Sequence, residues 1–156
     1  MSDKNTVKKQ LQELYKSVIG GKLGVIVNID KDGDINFKYG TLGVLLLPCD
    51  ADAPNYFRLI DQVEVGEWSE QSESVALKVV NKVNMQVKCI TQSVRKIEQG
   101  GSERLILMNA VEAFIAGEGD LPAKEFLEAS FEDYAGVLDA GRNLFVQEYT
   151  KVNGNS

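Results

Sequence analysis

The sequence predicts an α+β fold, an antiparallel sheet of about five or six strands packed by helices in the order α-β-β-β-(β)-α-β-β-α. Three observations carry this prediction. Apolar residues recur with helical spacing in three separate stretches. Between those stretches the spacing falls to two, with β-branched and aromatic side chains. Turn-forming pairs, Asp32-Gly33 and Gly100-Gly101, stand between extended runs. One sheet with helices laid against it satisfies every apolar stripe.

Val7, Leu11, Leu14 and Val18 mark one face of a first helix over 6–19, with Thr6 as its cap and Gly20-Gly21 as its end. Val25 to Ile29 reads as a strand. The run Asp30-Lys31-Asp32-Gly33-Asp34 turns the chain, and Ile35, Phe37 and Tyr39 alternate along a second strand. The third strand covers 41–47 and stops at Pro48, which lacks an amide hydrogen. Cys49–Asn55 is a connection, and Phe57, Leu59 and Val63 make a short fourth strand before a loop at Gly66-Glu67-Trp68-Ser69. Val75, Ala76, Val79, Val80 and Val83 place a second helix over 72–84.

A second hairpin follows, from Val87 and Cys89 to a break at Gln99-Gly100-Gly101 and back along 104–114. The longest helix opens at Leu121-Pro122 and runs to about Tyr149, with Leu127, Phe131, Tyr134, Leu138, Gly141 and Phe145 in its stripe. Gly136 and Gly141 mark either close approach of another backbone or a local bend. At 156 residues one domain is expected, over 6–150, with 1–5 and 151–156 as flexible tails.

Composition narrows the function. Hydrophobic residues are 44% and charged residues 26%, a globular balance. The longest apolar run, Leu42 to Leu47, is too short to span a bilayer, and the polar start lacks the features of a secretory signal, so a cytoplasmic location is expected. Cys49 and Cys89 are then free thiols. The net charge is -6, and eight carboxylates face a single Lys124 between Glu112 and Asp139. Such a field repels phosphates, which argues against nucleic acid and anionic membranes as partners.

No catalytic, cofactor-binding or metal residue emerges. The chain has no histidine, which removes the commonest acid–base group at neutral pH. Gly20-Gly21-Lys22-Leu23-Gly24 follows a helix and precedes a strand, the reverse of a phosphate loop. Asp30, Asp32 and Asp34 have the two-residue spacing of a weak surface cation site, but the glycine is fourth and the twelfth residue is Thr41, unlike a calcium loop. A solvated turn is the simpler reading. Asp50 and Asp52 read as loop solubilisers, and Cys49, beside Pro48 and Asp50, as a small residue at a strand end. Trp68 is either a lid on the core or a contact residue.

Asp32-Gly33-Asp34-Ile35-Asn36-Phe37, Phe57-Arg58-Leu59, Val80-Asn81-Lys82-Val83-Asn84 ahead of Val87-Lys88, and Val111-Glu112-Ala113-Phe114-Ile115 together resemble the YbjN family. That family's domain is itself similar to type III secretion chaperones. The resemblance implies the same element order, frequent dimerisation, and Asn81 and Asn84 at the end of the middle helix, satisfying late carbonyls or fixing the following turn. It implies a sensory, regulatory or chaperone-like role without catalysis, and unfolded segments of other proteins as clients. The expected function is thus a non-enzymatic protein-binding, chaperone-like or regulatory domain. A structural subunit of a larger assembly and a carboxylate-dependent, metal-assisted enzyme are the alternatives.

Self-association as a homodimer, through a helix or an open strand edge, is expected as well. The final helix carries a stripe, Phe126 to Phe145, broader than one sheet covers. Carboxylate repulsion near that helix would make the dimer tighten with added salt.

Overall fold

A computed structural model describes residues 3–117 and 119–154. Three helices and six strands follow the predicted order, with a fourth strand present: α1 (Lys4–Lys16), β1 (Val27–Ile29), β2 (Ile35–Tyr39), β3 (Gly43–Leu47), β4 (Tyr56–Glu67), α2 (Glu70–Gln86), β5 (Ile90–Gln99), β6 (Ser102–Phe114) and α3 (Lys124–Asn153). The strands form one sheet in the order β1-β2-β3-β4-β6-β5. The β1–β2, β2–β3 and β5–β6 ladders are antiparallel. Two compact units divide the residues, Met1–Leu59 with Glu112–Ala135, and Ile60–Val111 with Gly136–Ser156.

In the first unit α1 buries Val7, Leu11 and Tyr15, and the turn that follows it buries Val18 and Ile19. The buried stripe passes through Tyr15, one residue on from the expected Leu14, because a four-residue step from Leu11 holds the helical face better than three. Asp3, not Thr6, occupies the cap position, and its side chain makes no capping bond. Gly20-Gly21 does not end the helix: the chain continues as a π-helical turn over Ser17–Lys22. Ile35, Phe37, Leu45 and Leu47 point inward from β2 and β3. Phe131 lies 5.8 Å from the Phe37 ring and 5.7 Å from Tyr39, and Tyr134 stacks on Phe57 at 5.2 Å. The strand expected over 41–47 begins only at Gly43, since Gly40–Leu42 is a 3-10 turn that buries Leu42. β1 likewise starts at Val27 instead of Val25.

In the second unit α2 begins earlier than expected. Ser69 accepts a hydrogen bond from the Ser72 amide while Ser72 Oγ accepts one from the Ser69 amide, a reciprocal cap. Glu70 and Glu73 in its first turn favour the helix dipole. Ala76, Val79, Val80 and Val83 are buried, as their spacing predicts. Residues 87–89 form a turn, so Val87 and Cys89 do not start the strand; Cys89 has a φ of 63°, incompatible with an extended chain.

β4 is the largest difference from expectation. It is twelve residues long and includes Gly66-Glu67, which the sequence presents as loop. Leu59, Ile60 and Asp61 are buried in succession, which erases the alternation that marks a strand. On the outer side Arg95 reaches Gln62 and Arg104 reaches Glu64. Long side chains laid across a sheet cover apolar residues beneath them, which accounts for Ile60 and Ile106 being buried on that side.

The stripe of α3 is covered more fully than expected. Leu127, Phe131, Leu138 and Phe145 are buried and Phe126 is exposed, with Tyr134, Val137 and Leu144 between. Gly136 faces open space. Gly141 is closely approached, though by the side chains of Ile90 and Asn109 and not by a backbone.

Candidate functional site

The described residues offer two arrangements that packing alone does not explain. The first is a row of buried polar side chains in the second unit. Gln92 of β5 stands opposite Asn109 of β6 in the ladder. Gln92 Nε2 donates to Asn109 Oδ1 at 3.0 Å and to the Gly141 carbonyl at 2.9 Å, while Asn109 Nδ2 donates to the Leu138 carbonyl at 2.8 Å. Helix α3 is therefore held by its own carbonyls at a point where glycine leaves room for the contact. Asn84, at the end of α2, clamps the same strand: its Nδ2 donates to the Gln92 carbonyl and its Oδ1 accepts from the Gln92 amide. The turn-fixing role implied for Asn84 is thus present, but its partner lies beyond the turn on β5. Asn81 is exposed.

Asp61 of β4 belongs to the same unit and is 1% exposed. Neither of its carboxylate oxygens accepts a hydrogen bond, and Gln92 Oε1 is likewise without a donor. Arg142 Nη1 stands 3.7 Å from Asp61 Oδ2, close enough for attraction and too far for a hydrogen bond. Burial pushes the Asp61 carboxyl up to about 6; Arg142 opposes the shift and Asp139 adds to it. This row can hold a helix in place and exchange one proton.

The second arrangement is at the surface of the first unit. Phe114, at the end of β6, is 83% exposed, and its ring is 4.9 Å from that of Tyr56 at the start of β4. A side-chain hydrogen bond to Glu112, with some burial, raises the Tyr56 hydroxyl above its ordinary value. Arg58 Nε lies 2.8 Å from Glu112 Oε1, an ion pair whose geometry falls outside a hydrogen bond. An uncovered phenylalanine on a half-buried tyrosine, beside a charged pair, is the make-up of a protein-contact patch. Phe114 is the last residue of the strand that the sequence predicts over 104–114. The signal that could have found it was its position at the strand's last residue, where pairing and cover both end.

The acidic residues singled out in the sequence spend their oxygens locally. Asp30 Oδ1 accepts from the amides of Asp32 and Asp34, Asp34 Oδ1 accepts from the Cys49 amide, and Asp50 Oδ1 accepts from the Asp52 amide. Lys8 and Gln12 donate to the carbonyls of Asp32 and Gly33. Among the described residues no group of three acidic, cysteine or histidine side chains is placed to hold a metal ion. Asp50 and Asp52 share a shallow depression with Asp34, Lys8 and Cys49, and Asp52 pairs with Lys4 at 2.5 Å. Cys49 is buried, and burial, with Asp34 beside it, pushes its thiol up to about 12, which keeps it protonated at neutral pH. Cys49 and Cys89 are both free. Trp68 is half-buried, neither a lid nor bare: its Nε1 donates to Glu73 Oε2 at 2.7 Å and Lys96 Nζ lies 3.9 Å from its ring centroid.

Among the described residues no helix is long and apolar enough to cross a membrane. No protein-family model matches the chain, and no curated protein matches its sequence. Its structure is similar to the crystal structure of YbjN from E. coli, described as a candidate transcription regulator, with a TM-score of 0.54, 7% sequence identity and 92% of each chain covered. At that identity the likeness is one of fold: an α+β architecture with a six-stranded antiparallel sheet and flanking helices, distantly related in form to a YbjN-family protein.

Proposed function

We propose that the chain is a non-enzymatic protein-binding domain, chaperone-like or regulatory, that acts in the cytoplasm as a homodimer and takes a protein or peptide client. The observation that supports client binding is Phe114, held against Tyr56 yet left in water. Burying such a side chain is worth roughly 1.5–3 kcal/mol, and a partner that covers it collects that energy. Arg58 and Glu112 supply a polar rim. The fold likeness to YbjN agrees with a regulatory role, and the acidic chain favours regulation through protein contact over nucleic-acid contact.

The reading is tested with Phe114→Ser, a surface change expected to leave stability within about 0.5 kcal/mol. Wild-type protein should retain partner chains from its native cell extract at micromolar concentration, or suppress aggregation of reduced insulin, and the variant should do so at least tenfold less well. Equal capture by both forms moves the contact elsewhere. A wild type that shows neither capture nor protection removes the proposal.

A further inference from the structure

Strand β5 ends the sheet order, so one long side of it has no neighbouring strand. The turn into β6 fixes which backbone groups lie on that side. Gly100 and Gly101 both have positive φ, 61° and 79°, the two-residue turn whose flanking residues exchange both hydrogen bonds. Those residues are Gln99 and Ser102. Hydrogen-bonded pairs alternate along an antiparallel ladder, so Gln99, Ile97 and Arg95 spend their amides and carbonyls on β6. Val94, Lys96 and Glu98 turn theirs to the open side.

The charges on this strand are unbalanced. Glu98 stands directly opposite Glu103 in the ladder, a position in which like charges repel. Lys96 answers Glu103 at 2.7 Å. Glu98 has no ion pair among the described residues.

The geometry points to a second copy of this chain paired antiparallel along β5, with Ile97 on the twofold axis. An axis perpendicular to the sheet keeps corresponding faces of the two copies on the same side, so residues that meet must point to the same face. A register centred on Lys96, Arg95 or Glu98 sets identical charges against each other. One centred on Val94 leaves Glu98 opposite the partner's Ile90. Centring on Ile97 places Lys96 opposite the partner's Glu98, and Glu98 opposite the partner's Lys96, with two isoleucines between. It also makes Lys96 and Glu98 the hydrogen-bonded positions, as their outward backbone groups require.

This interface rests on the homodimer reading above, and the experiment separates the two. Ile97→Cys and Ser93→Cys are each made in a Cys89→Ser background, and the untagged wild type is weighed by sedimentation at tens of micromolar. The twofold brings the two Ile97 positions to about 4.5 Å between Cα atoms, within disulfide reach, and sets the two Ser93 positions eight residues out of register. The expected result is a wild-type dimer, rapid oxidative cross-linking of Ile97→Cys, and cross-linking of Ser93→Cys at least tenfold slower. A wild-type mass that stays at the 17.2 kDa of one chain overturns both the dimer and this interface. A dimer in which Ile97→Cys cross-links no faster than Ser93→Cys overturns the interface and leaves the dimer standing.

Discussion

Gly141 and Ile90 meet so closely that a Cβ built on the glycine would collide with Ile90 Cδ1, while the glycine carbonyl accepts a hydrogen bond from the Gln92 side-chain Nε2. A methyl group there forces the isoleucine out of place. Gly141→Ala is therefore expected to destabilise by about 1–3 kcal/mol, as overpacking does, and Ile90→Val in the same chain should recover part of the loss. Gly136, five residues earlier, faces open space, so Gly136→Ala should stabilise by roughly 0.5–1 kcal/mol through helix propensity. Urea midpoints of the four proteins check both signs, and a stabilising Gly141→Ala would contradict the packing described.

Asp61 makes stability depend on pH in an unusual direction. Its folded carboxyl titrates near 6, above the ordinary 3.8, chiefly because of burial. The native state therefore holds a proton that the unfolded state has already released. The contribution is fully present below about pH 4 and is lost as pH rises through 6. Asp61→Asn, which cannot ionise, should remove this component. The wild type should lose stability relative to the variant between pH 4 and pH 7, read as the difference of denaturant midpoints at each pH. A difference that is flat or reversed across that window rules the mechanism out.

Asn84 and Asn81 share a helix and differ in what they hold. Asn84→Ala removes two hydrogen bonds to the Gln92 backbone and is expected to cost about 1–3 kcal/mol. Asn81→Ala, on an exposed position, should stay within about 0.5 kcal/mol. Thermal unfolding at one pH distinguishes them, and equal losses would show that the clamp carries no special weight.

The two thiols should separate under labelling. Cys89 is exposed and Cys49 is buried with its thiol pushed up to about 12, and only a thiolate reacts readily. A chromogenic disulfide reagent at pH 8 should modify one thiol per chain quickly, mapped to Cys89, and reach the second only when denaturant is added. Two equally fast thiols would mean that Cys49 is not enclosed.

The fold was legible wherever one side of an element faces water. Val79, Val80 and Val83 and the pair Ile35 and Phe37 announced a helix and a strand because their faces differ in polarity. The centre of β4 was not legible, since Leu59, Ile60 and Asp61 are buried together and the charged residues beyond them satisfy one another across the outer face. Gly20-Gly21 misled because a π-helical turn carries glycine without ending. The polar row was hidden for another reason. Asp61, Gln92 and Asn109 are far apart in sequence and look like surface residues until strand pairing sets Gln92 against Asn109. Phe114 was hidden by its neighbours, whose apolar run made it look covered.

The division of the chain into its two compact units has a consequence for how the protein is made. Each unit is assembled from two separated segments, and the second segment of each includes part of α3. A growing chain that has emerged only as far as β6 has all six strands but no third helix, and Leu127, Phe131, Leu138 and Phe145 are still missing from both cores. The first unit has all its segments once Ala135 has emerged, while the second still waits for the rest of α3. Protection from protease during synthesis should rise late and in two steps, the first unit after Ala135 and the second as the remainder of α3 emerges, and a nonsense codon ahead of Lys124 yields a chain with no completed core.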